Sequence, residues 1–332
     1  MNNSTLPLVS VIVPVYNHEK FIGETIKGVI SQTFQNWELL IVDDCSTDKS
    51  WEIIQEYIKK DSRIKAFRNE TNRGLIPNWK FLIENSSGDY LAFLEGDDLF
   101  YHDNLEKKIN VFKRFSDLGM VYCNFNVIDK DGSVLIGDYR SFQKIKVFRN
   151  QPISPSAYLS SKYHLINSYG QIMVKRSVVE MVGYPRTLDP SAKVFLPSDW
   201  DFNFRISTKN NIYYVEDVLF GYRRHANNNS YDAVKAYAHI SLLLNEYEKV
   251  FSDNHAILKA IRYKRGRYIY TKIIYFLETK NKPMAWREFF AYVNSLQILS
   301  VVDIDLNIKL LIRMFLPDSL NLYIKTLYYH QD

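Results

Sequence analysis

The sequence predicts an α/β protein: a mixed, mainly parallel sheet flanked by helices, followed by a helical C-terminal extension. Three observations carry this expectation. Short β-branched runs alternate with amphipathic helical patterns through the first 130 residues, the order of successive βαβ units. The apolar run Tyr90-Leu91-Ala92-Phe93-Leu94 leads straight into Glu95, Asp97 and Asp98, with no basic residue in the stretch to neutralise them. From about residue 232 the periodicity becomes helical to the end, broken at Pro283 and Pro317.

Val9 to Val15 is a β-branched run and reads as the first strand. A helical pattern with apolar Phe21, Ile22, Ile26, Val29 and Ile30 follows, then a second strand over Leu39 to Val42. Ser46-Thr47-Asp48 offers an N-cap for a helix from about Lys49 to Lys59. Ile64 to Phe67 is a short third strand, and a helix around Asn78 to Glu84 leads to the strand that ends in the acids. Met120 to Val127 reads as a further strand, with Asp129-Lys130-Asp131-Gly132 as a hairpin turn, so the parallel pattern breaks there. Residues 137 to 168 carry Pro152 and Pro155 with little periodicity and suggest an irregular segment over the sheet, suited to a substrate lid. Gln171 to Val174 and Ile212 to Tyr222 suggest strands around a helix containing Trp200, Phe204 and Ile206.

Length and composition set the bounds. With 332 residues, 46% hydrophobic and 24% charged, the chain has ordinary globular composition and room for one large domain plus an appendage. The expected division is a domain over 1–231, with halves at about 8–130 and 131–231, and a helical basic region over 232–332. Two cysteines, Cys45 and Cys123, have no metal-type spacing and are expected as buried apolar residues. The first residues, Met1 to Pro7, lack a basic segment leading into an apolar one, and no stretch approaches the roughly 20 apolar residues of a spanning helix. A cytoplasmic protein, free or peripheral on the inner face of the cell membrane, is the expectation. The net charge is +5, and residues 232 to 332 hold 14 Lys and Arg against 10 Asp and Glu. The densest part is Arg262, Lys264, Arg265, Arg267 and Lys272, interleaved with Tyr263, Tyr268, Tyr270 and Tyr275. An anionic membrane surface, nucleic acid or a plain solvated face would each account for such a stretch.

Ligands of open α/β sheets bind at the carboxyl ends of the strands. Carboxylates there suit a hard divalent cation, which commonly takes further oxygens from a substrate phosphate. Glu95, Asp97 and Asp98 therefore suggest a metal-bound diphosphate, although such acids also cap helices, here one starting near His102 to Asn104. Two more strand ends fall on the same edge. Val13-Pro14-Val15-Tyr16-Asn17 supplies a ring that can stack and an amide that can hydrogen-bond; Val42-Asp43-Asp44-Cys45-Ser46 supplies carboxylates able to accept the imide N–H of a uracil or thymine.

These blocks resemble those of family 2 glycosyltransferases. Val9 to Asn17, Gln32-Thr33-Phe34 and Val42 to Asp48 are similar to that family's opening blocks, and Gly88 to Asp98 is similar to its metal-binding block. Met173-Val174-Lys175-Arg176-Ser177, Val182-Gly183-Tyr184, Ser198-Asp199-Trp200-Asp201 and Tyr222-Arg223-Arg224-His225 resemble its acceptor half in the same order. The resemblance covers roughly residues 8 to 230 and has three departures. Glu95 stands where the family usually has Asp, Ser198-Asp199 where it has Glu-Asp, and Trp79 where an Arg often follows the N-x-G block of Asn72-Arg73-Gly74.

The resemblance implies a GT-A-type fold and inversion at the anomeric carbon. It further implies that Asp199 is the base that deprotonates the acceptor hydroxyl, and that Asp98 holds Mg or Mn with Glu95 and His225 as further candidate ligands. Asp97 would meet the ribose or the metal, while Asp44 with Tyr16 would recognise the base and Pro14 and Asn17 would also line the nucleotide-sugar site. Arg73 or Lys80 would take over the phosphate contact left by Trp79. Each has a plainer reading: Asp43, Asp44 and Asp199 as helix caps, Tyr16 as packing, His225 as a loop histidine. The expected function is transfer of a hexosyl or hexosaminyl unit from a nucleotide-sugar donor, UDP-linked, to a hydroxyl of a glycan or lipid-linked glycan precursor in surface polysaccharide synthesis. The basic stretch 262–275 would rest on an anionic membrane, and no nucleic-acid partner is expected. Alternatives are a catalytically idle nucleotide-sugar-binding or scaffold protein on the same fold and a sugar nucleotidyltransferase. The latter is opposed by the lack of a Gly-rich, Lys-containing phosphate loop near the amino terminus.

Overall fold

A computed structural model describes residues 6–139, 153–161, 166–189, 197–225 and 233–294. The chain forms two compact units, Met1–Tyr158 with Tyr163–Tyr231, and Leu159–Lys162 with Asp232–Asp332.

The first unit is built on a nine-stranded mixed sheet. Its parallel part is β1 (Val9–Val15), β2 (Trp37–Asp43), β3 (Ile64–Arg68) and β4 (Tyr90–Phe93), joined by α1 (Ile22–Ile30), α2 (Ser50–Ile58) and α3 (Leu75–Glu84). β1 lies between β2 and β4, in register Val13↔Ile41 and Val11↔Ala92. Every residue of β1 and β2 is buried. This explains why β-branched and aliphatic residues dominate both strands, since strands covered on both faces need no polar alternation; the two polar exceptions inside them, Ser10 and Glu38, satisfy each other by a 2.7 Å hydrogen bond. α1 lays Ile22, Ile26 and Val29 on that core. α3 begins at Leu75, three residues before the start read from the sequence, because Pro77 falls in the first helical turn, where a missing N–H costs nothing.

Beyond β4 the strand directions change. After β5 (Leu99–Phe100) and α4 (Asn104–Arg114) come β6 (Leu118–Ile128), β7 (Val134–Ile136), the short helix α5 (Pro155–Ser160) and a 3₁₀ turn, Tyr169–Gln171. β8 (Ile172–Lys175), α6 (Arg176–Val182), α7 (Ser198–Ser207) and β9 (Asn211–Arg223) complete the sheet, whose order is β3-β2-β1-β4-β8-β6-β9-β5 with β7 on β6. β8 is antiparallel to β4 and β6, whereas β9 is parallel to β6. The β6–β7 turn is the expected one: Gly132 has φ +85° and its N–H returns to the Asp129 carbonyl at 3.2 Å. Part of the expected irregular segment, 140–152 and 162–165, lies outside the described residues.

The second unit contains α8 (Ala233–Val250), α9 (His255–Glu278) and α10 (Lys282–Asn294). Asn254 caps α9 by accepting the Ile257 N–H at 3.0 Å, and α9 packs on α10 around Ile273, Phe276 and Ala285. The helix break expected at Pro283 falls earlier, at Thr279 to Asn281, where Lys280 has φ +58°. Pro283 sits in the first turn of α10, again where proline is tolerated; Pro317 lies outside the described residues. The basic stretch is not a free stripe. Lys264 is 4% exposed and directs its Nζ to the Ser161 carbonyl at 3.4 Å, Arg265 pairs with Glu248 at 2.8 Å, and Lys272 pairs with Glu288 at 2.7 Å. Arg265 and Lys272 thus join neighbouring helices and Lys264 is buried, so these three cations are engaged within the unit.

Candidate active site

The acidic turn forms because β4 must stop. Pro14 has the strand parity of Ile12, whose carbonyl receives the Leu94 N–H at 3.1 Å, yet it has no N–H of its own. The β1–β4 ladder therefore ends, and residues 95–98 turn across the carboxyl edge. Gly96 is needed there: a Cβ would stand 2.8 Å from His18 Nδ1 and 3.2 Å from the Pro14 carbonyl. Buried Thr25 on α1 anchors the turn, its hydroxyl lying 3.1 Å from the Gly96 carbonyl and 2.9 Å from that of Asp98.

The three acids differ in surroundings. Asp98 is 1% exposed and accepts the Arg223 backbone N–H at 2.7 Å; its Oδ2 is buried with no donor in hydrogen-bond geometry among the described residues. Burial, with the charges of Asp97 and Glu95, holds its carboxyl well above the ordinary range. Asp97 meets His225, Nε2 to Oδ2, at 2.8 Å. Burial pushes Asp97 up, but neighbouring His18 and the bonded His225 outweigh it and leave the carboxyl below its usual value. Glu95 accepts from the Ser168 hydroxyl at 2.9 Å, and burial plus the Asp97 charge raise it to about 7.

Tertiary contacts bring to this stretch the basic groups that it lacks in sequence. Arg223, at the end of β9 and 0% exposed, donates from Nε to the Asp97 carbonyl at 2.7 Å and from Nη2 to Glu24 at 2.7 Å. It comes from 125 residues downstream of Asp98, carried by β9, which pairs with β6 and, through Gly221↔Leu99 and Phe220↔Phe100, with β5 directly after the turn.

Asp199 occupies the first turn of α7, where its Oδ1 accepts the Trp200 N–H at 2.7 Å. Burial raises it to about 6, and its charge is felt at both Glu95 and Tyr169. Its neighbour Asp201 is wholly buried between Arg186, at 3.0 Å, and Arg205, at 2.9 Å, which also ties down the carbonyls of Gly183 and Tyr184. Asp201 thus holds the helix start in place while Asp199 remains unpaired with any cation among the described residues.

On the nucleotide side, Asp44 is 3% exposed and accepts from Asn69 Nδ2 at 2.7 Å, Arg73 N at 2.8 Å and Gly74 N at 2.8 Å. It shapes the loop into α3, where Gly74 has φ +86°. Asp43 pairs with Arg68 at 3.1 Å. Tyr16 is 46% exposed, free to stack, and Asn17, at φ +56°, accepts the Thr47 N–H at 2.8 Å. Cys45 is only half-buried at φ +63°, unlike buried Cys123. Arg73 and Lys80 are exposed, but Lys80 lies along α3 beside Glu84 and over the Tyr184 ring, at 3.7 and 5.8 Å, rather than at the acidic turn. Trp79 is wholly buried against Phe93 and Tyr169. Residues that sequence reasoning left without a role are His18, Thr25, Ser168 and Arg223; only Arg223 stood inside a quoted block.

The family model for glycosyl transferase family 2 matches residues 10–180. This chain belongs to that family. The Escherichia coli UDP-Glc:alpha-D-GlcNAc-diphosphoundecaprenol beta-1,3-glucosyltransferase WfgD is 35% identical over 138 residues, 42% of this chain and 53% of that relative. The chain spans about half the length of the first curated family 2 relatives it matches. The structure of S. aureus TarS 1-349 in complex with UDP-GlcNAc aligns at a TM-score of 0.61 and 17% identity, covering 78% of this chain and 72% of that one. Mannosyltransferase PcManGT from Pyrobaculum calidifontis in complex with GDP-Man and Mn2+ aligns at 0.58 and 16%, covering 88% and 76%. The GT-A-type architecture is thereby shown for this family 2 member.

Proposed function

We propose that this glycosyltransferase is an inverting enzyme that moves a hexosyl or hexosaminyl unit from a UDP-linked donor to a hydroxyl of a lipid-linked glycan precursor in surface polysaccharide synthesis. The observation that carries the reading is Asp199, a carboxylate tuned to about 6 and electrostatically linked through Glu95 to the acidic turn. A base of that strength is ionised at neutral pH yet basic enough to take a proton from a reacting hydroxyl. Asp201 and its two arginines keep the Asp199 turn from drifting. Tyr16 and the Asp44 loop are suited to hold the nucleotide.

The acidic turn fits a divalent cation. Among the described residues no three His, Cys, Asp or Glu side chains form a metal cage. Mg2+ and Mn2+ at phosphate sites commonly need only one or two protein carboxylates, and the orphaned Asp98 Oδ2 beside Asp97 and His225 is such a donor set. When bound, the cation would offset the charge that develops on the departing diphosphate. Asp98 and Asp97 would hold it, with His225 as an additional ligand or phosphate contact. PcManGT binds Mn2+ with its donor, WfgD is named for a UDP-Glc donor and a diphosphoundecaprenol acceptor, and TarS binds UDP-GlcNAc; each supports the same assignment here. No helix among the described residues is long and apolar enough to cross a membrane, so we assign a lipid-linked acceptor to approach from a membrane surface. The deciding experiment screens UDP-sugars with Mn2+ and lipid diphosphate acceptors. Asp199→Asn should lose about 10²- to 10⁴-fold in turnover and keep donor affinity. Undiminished transfer by that variant would remove the assignment, and donor binding without transfer by the wild type would favour the idle binding protein.

A further inference from the structure

We infer that Arg223 is a positioning residue for the donor diphosphate: it pins the end of β9 onto the acidic turn and so sets Asp97, Asp98 and His225 in one arrangement. The inference rests on the donor reading above and adds a residue to it.

Several hydrogen bonds to described residues leave this one buried side chain and its own amide. The backbone N–H goes to Asp98 Oδ1 at 2.7 Å and Nε to the Asp97 carbonyl at 2.7 Å. Nη1 reaches the carbonyls of Asp129 and Lys130 at 3.1 and 3.0 Å, and Nη2 reaches Glu24 Oε2 at 2.7 Å. Four parts of the chain therefore meet on one guanidinium: the acidic turn, the β6–β7 turn, the first turn of α1 and the end of β9. The Phe21 ring lies 5.0 Å from its Cζ and stacks on His225 at 4.8 Å. The planar fork matters, because a lysine ammonium offers no fixed set of divergent donors. Two residues beyond Arg223 on the same strand direction stands His225, whose meeting with Asp97 requires that β9 end where Arg223 fixes it. Glu24 is the replaceable member, since its side chain is 53% exposed while that of Arg223 is 0% exposed. It orients the guanidinium without touching the acids.

A role confined to folding would lower the unfolding midpoint and leave ligand affinity alone. The positioning role moves affinity itself. The test uses the full chain and measures UDP affinity by calorimetry at saturating Mn2+, below the unfolding midpoint of each variant, alongside kcat and donor KM. Arg223→Lys should weaken UDP binding about tenfold or more, the scale of losing one or two charge-assisted hydrogen bonds. Its donor KM should rise by a similar factor, with kcat changed less. Glu24→Gln should weaken UDP binding about threefold with a near wild-type midpoint. Should Arg223→Lys fail to fold, Glu24→Gln decides alone. Wild-type UDP affinity in the folded variants would overturn the inference. Absence of UDP binding by the wild type would instead overturn the donor reading, a failure visible before any variant is made.

Discussion

His225 Nε2 lies 2.8 Å from Asp97 Oδ2, joining the end of β9 to the acidic turn across 128 residues of sequence. The contact places an imidazole on Asp97, the residue before Asp98, whose Oδ2 has no hydrogen-bond donor among the described residues, and it makes the divalent cation testable. His225→Ala should raise the Mn2+ concentration needed for half-maximal transfer by about 10- to 100-fold, the range seen when a metal site loses a supporting group. A chelator should abolish transfer by the wild type, and Mn2+ or Mg2+ should restore it. Chelator-resistant transfer would show that Asp97 and Asp98 serve another purpose.

Asp199, raised to about 6, should imprint that value on the rate. Only the ionised form can take the acceptor proton, so kcat/KM should fall about tenfold per pH unit below roughly pH 6. The sign is opposite for stability. The folded state binds this proton more tightly than the unfolded chain, so the contribution of Asp199 improves as pH falls from about 6 towards 4. A pH–rate profile with its acid limb near 4 would argue against Asp199 as base.

Asp44 offers a separable prediction about the nucleotide side. Asp44→Asn turns one acceptor oxygen into a donor facing Arg73 N, Gly74 N or Asn69 Nδ2. The resulting unsatisfied buried group should cost about 1–3 kcal/mol in urea unfolding, together with a loss of UDP affinity. Affinity lost with stability unchanged would mean that the loop is held by other contacts and that Asp44 acts on the base alone.

Lys264 tests the helical unit. Burial, with Arg267 nearby, lowers it to about 8 from 10.5, so the unfolded chain holds the proton more tightly between those values. Stability should rise with pH from about 8 towards 10.5 and be lowest, on this account, at every pH below 8. The full shift corresponds to about 3 kcal/mol. Lys264→Met should be more stable than wild type at pH 7, with the advantage shrinking by pH 9.5. An equal advantage at both values would show that Lys264 is not a burdened cation.

Much of this molecule was legible because its signals are local. A strand covered on both faces is dominated by β-branched residues, as in Val9–Val15, and an amphipathic helix needs apolar residues at helical spacing, as in Ile22, Ile26 and Val29. The sequence places the third helix from about Asn78 and a break at Pro283, whereas the helices begin at Leu75 and Lys282; Pro77 and Pro283 lie in first turns, where no N–H is required. The acids at the end of β4 and Asp199 were visible as candidates because short carboxylate clusters at strand ends are uncommon and costly.

By itself the sequence determined the alternation of strands and helices, the family blocks and the identity of the candidate acids and histidine. Only the tertiary structure decided what surrounds them. Arg223, invisible as a partner from 125 residues away, reaches Asp97, Asp98 and Glu24 because β9 pairs with β5, next to the acidic turn, and with β6. Lys264, Arg265 and Lys272 were turned inward by helix packing. The physical reason is common to both cases. A charge in a sequence has no dielectric and no counter-charge until folding supplies them, and these set whether it is a ligand, a base or a brace.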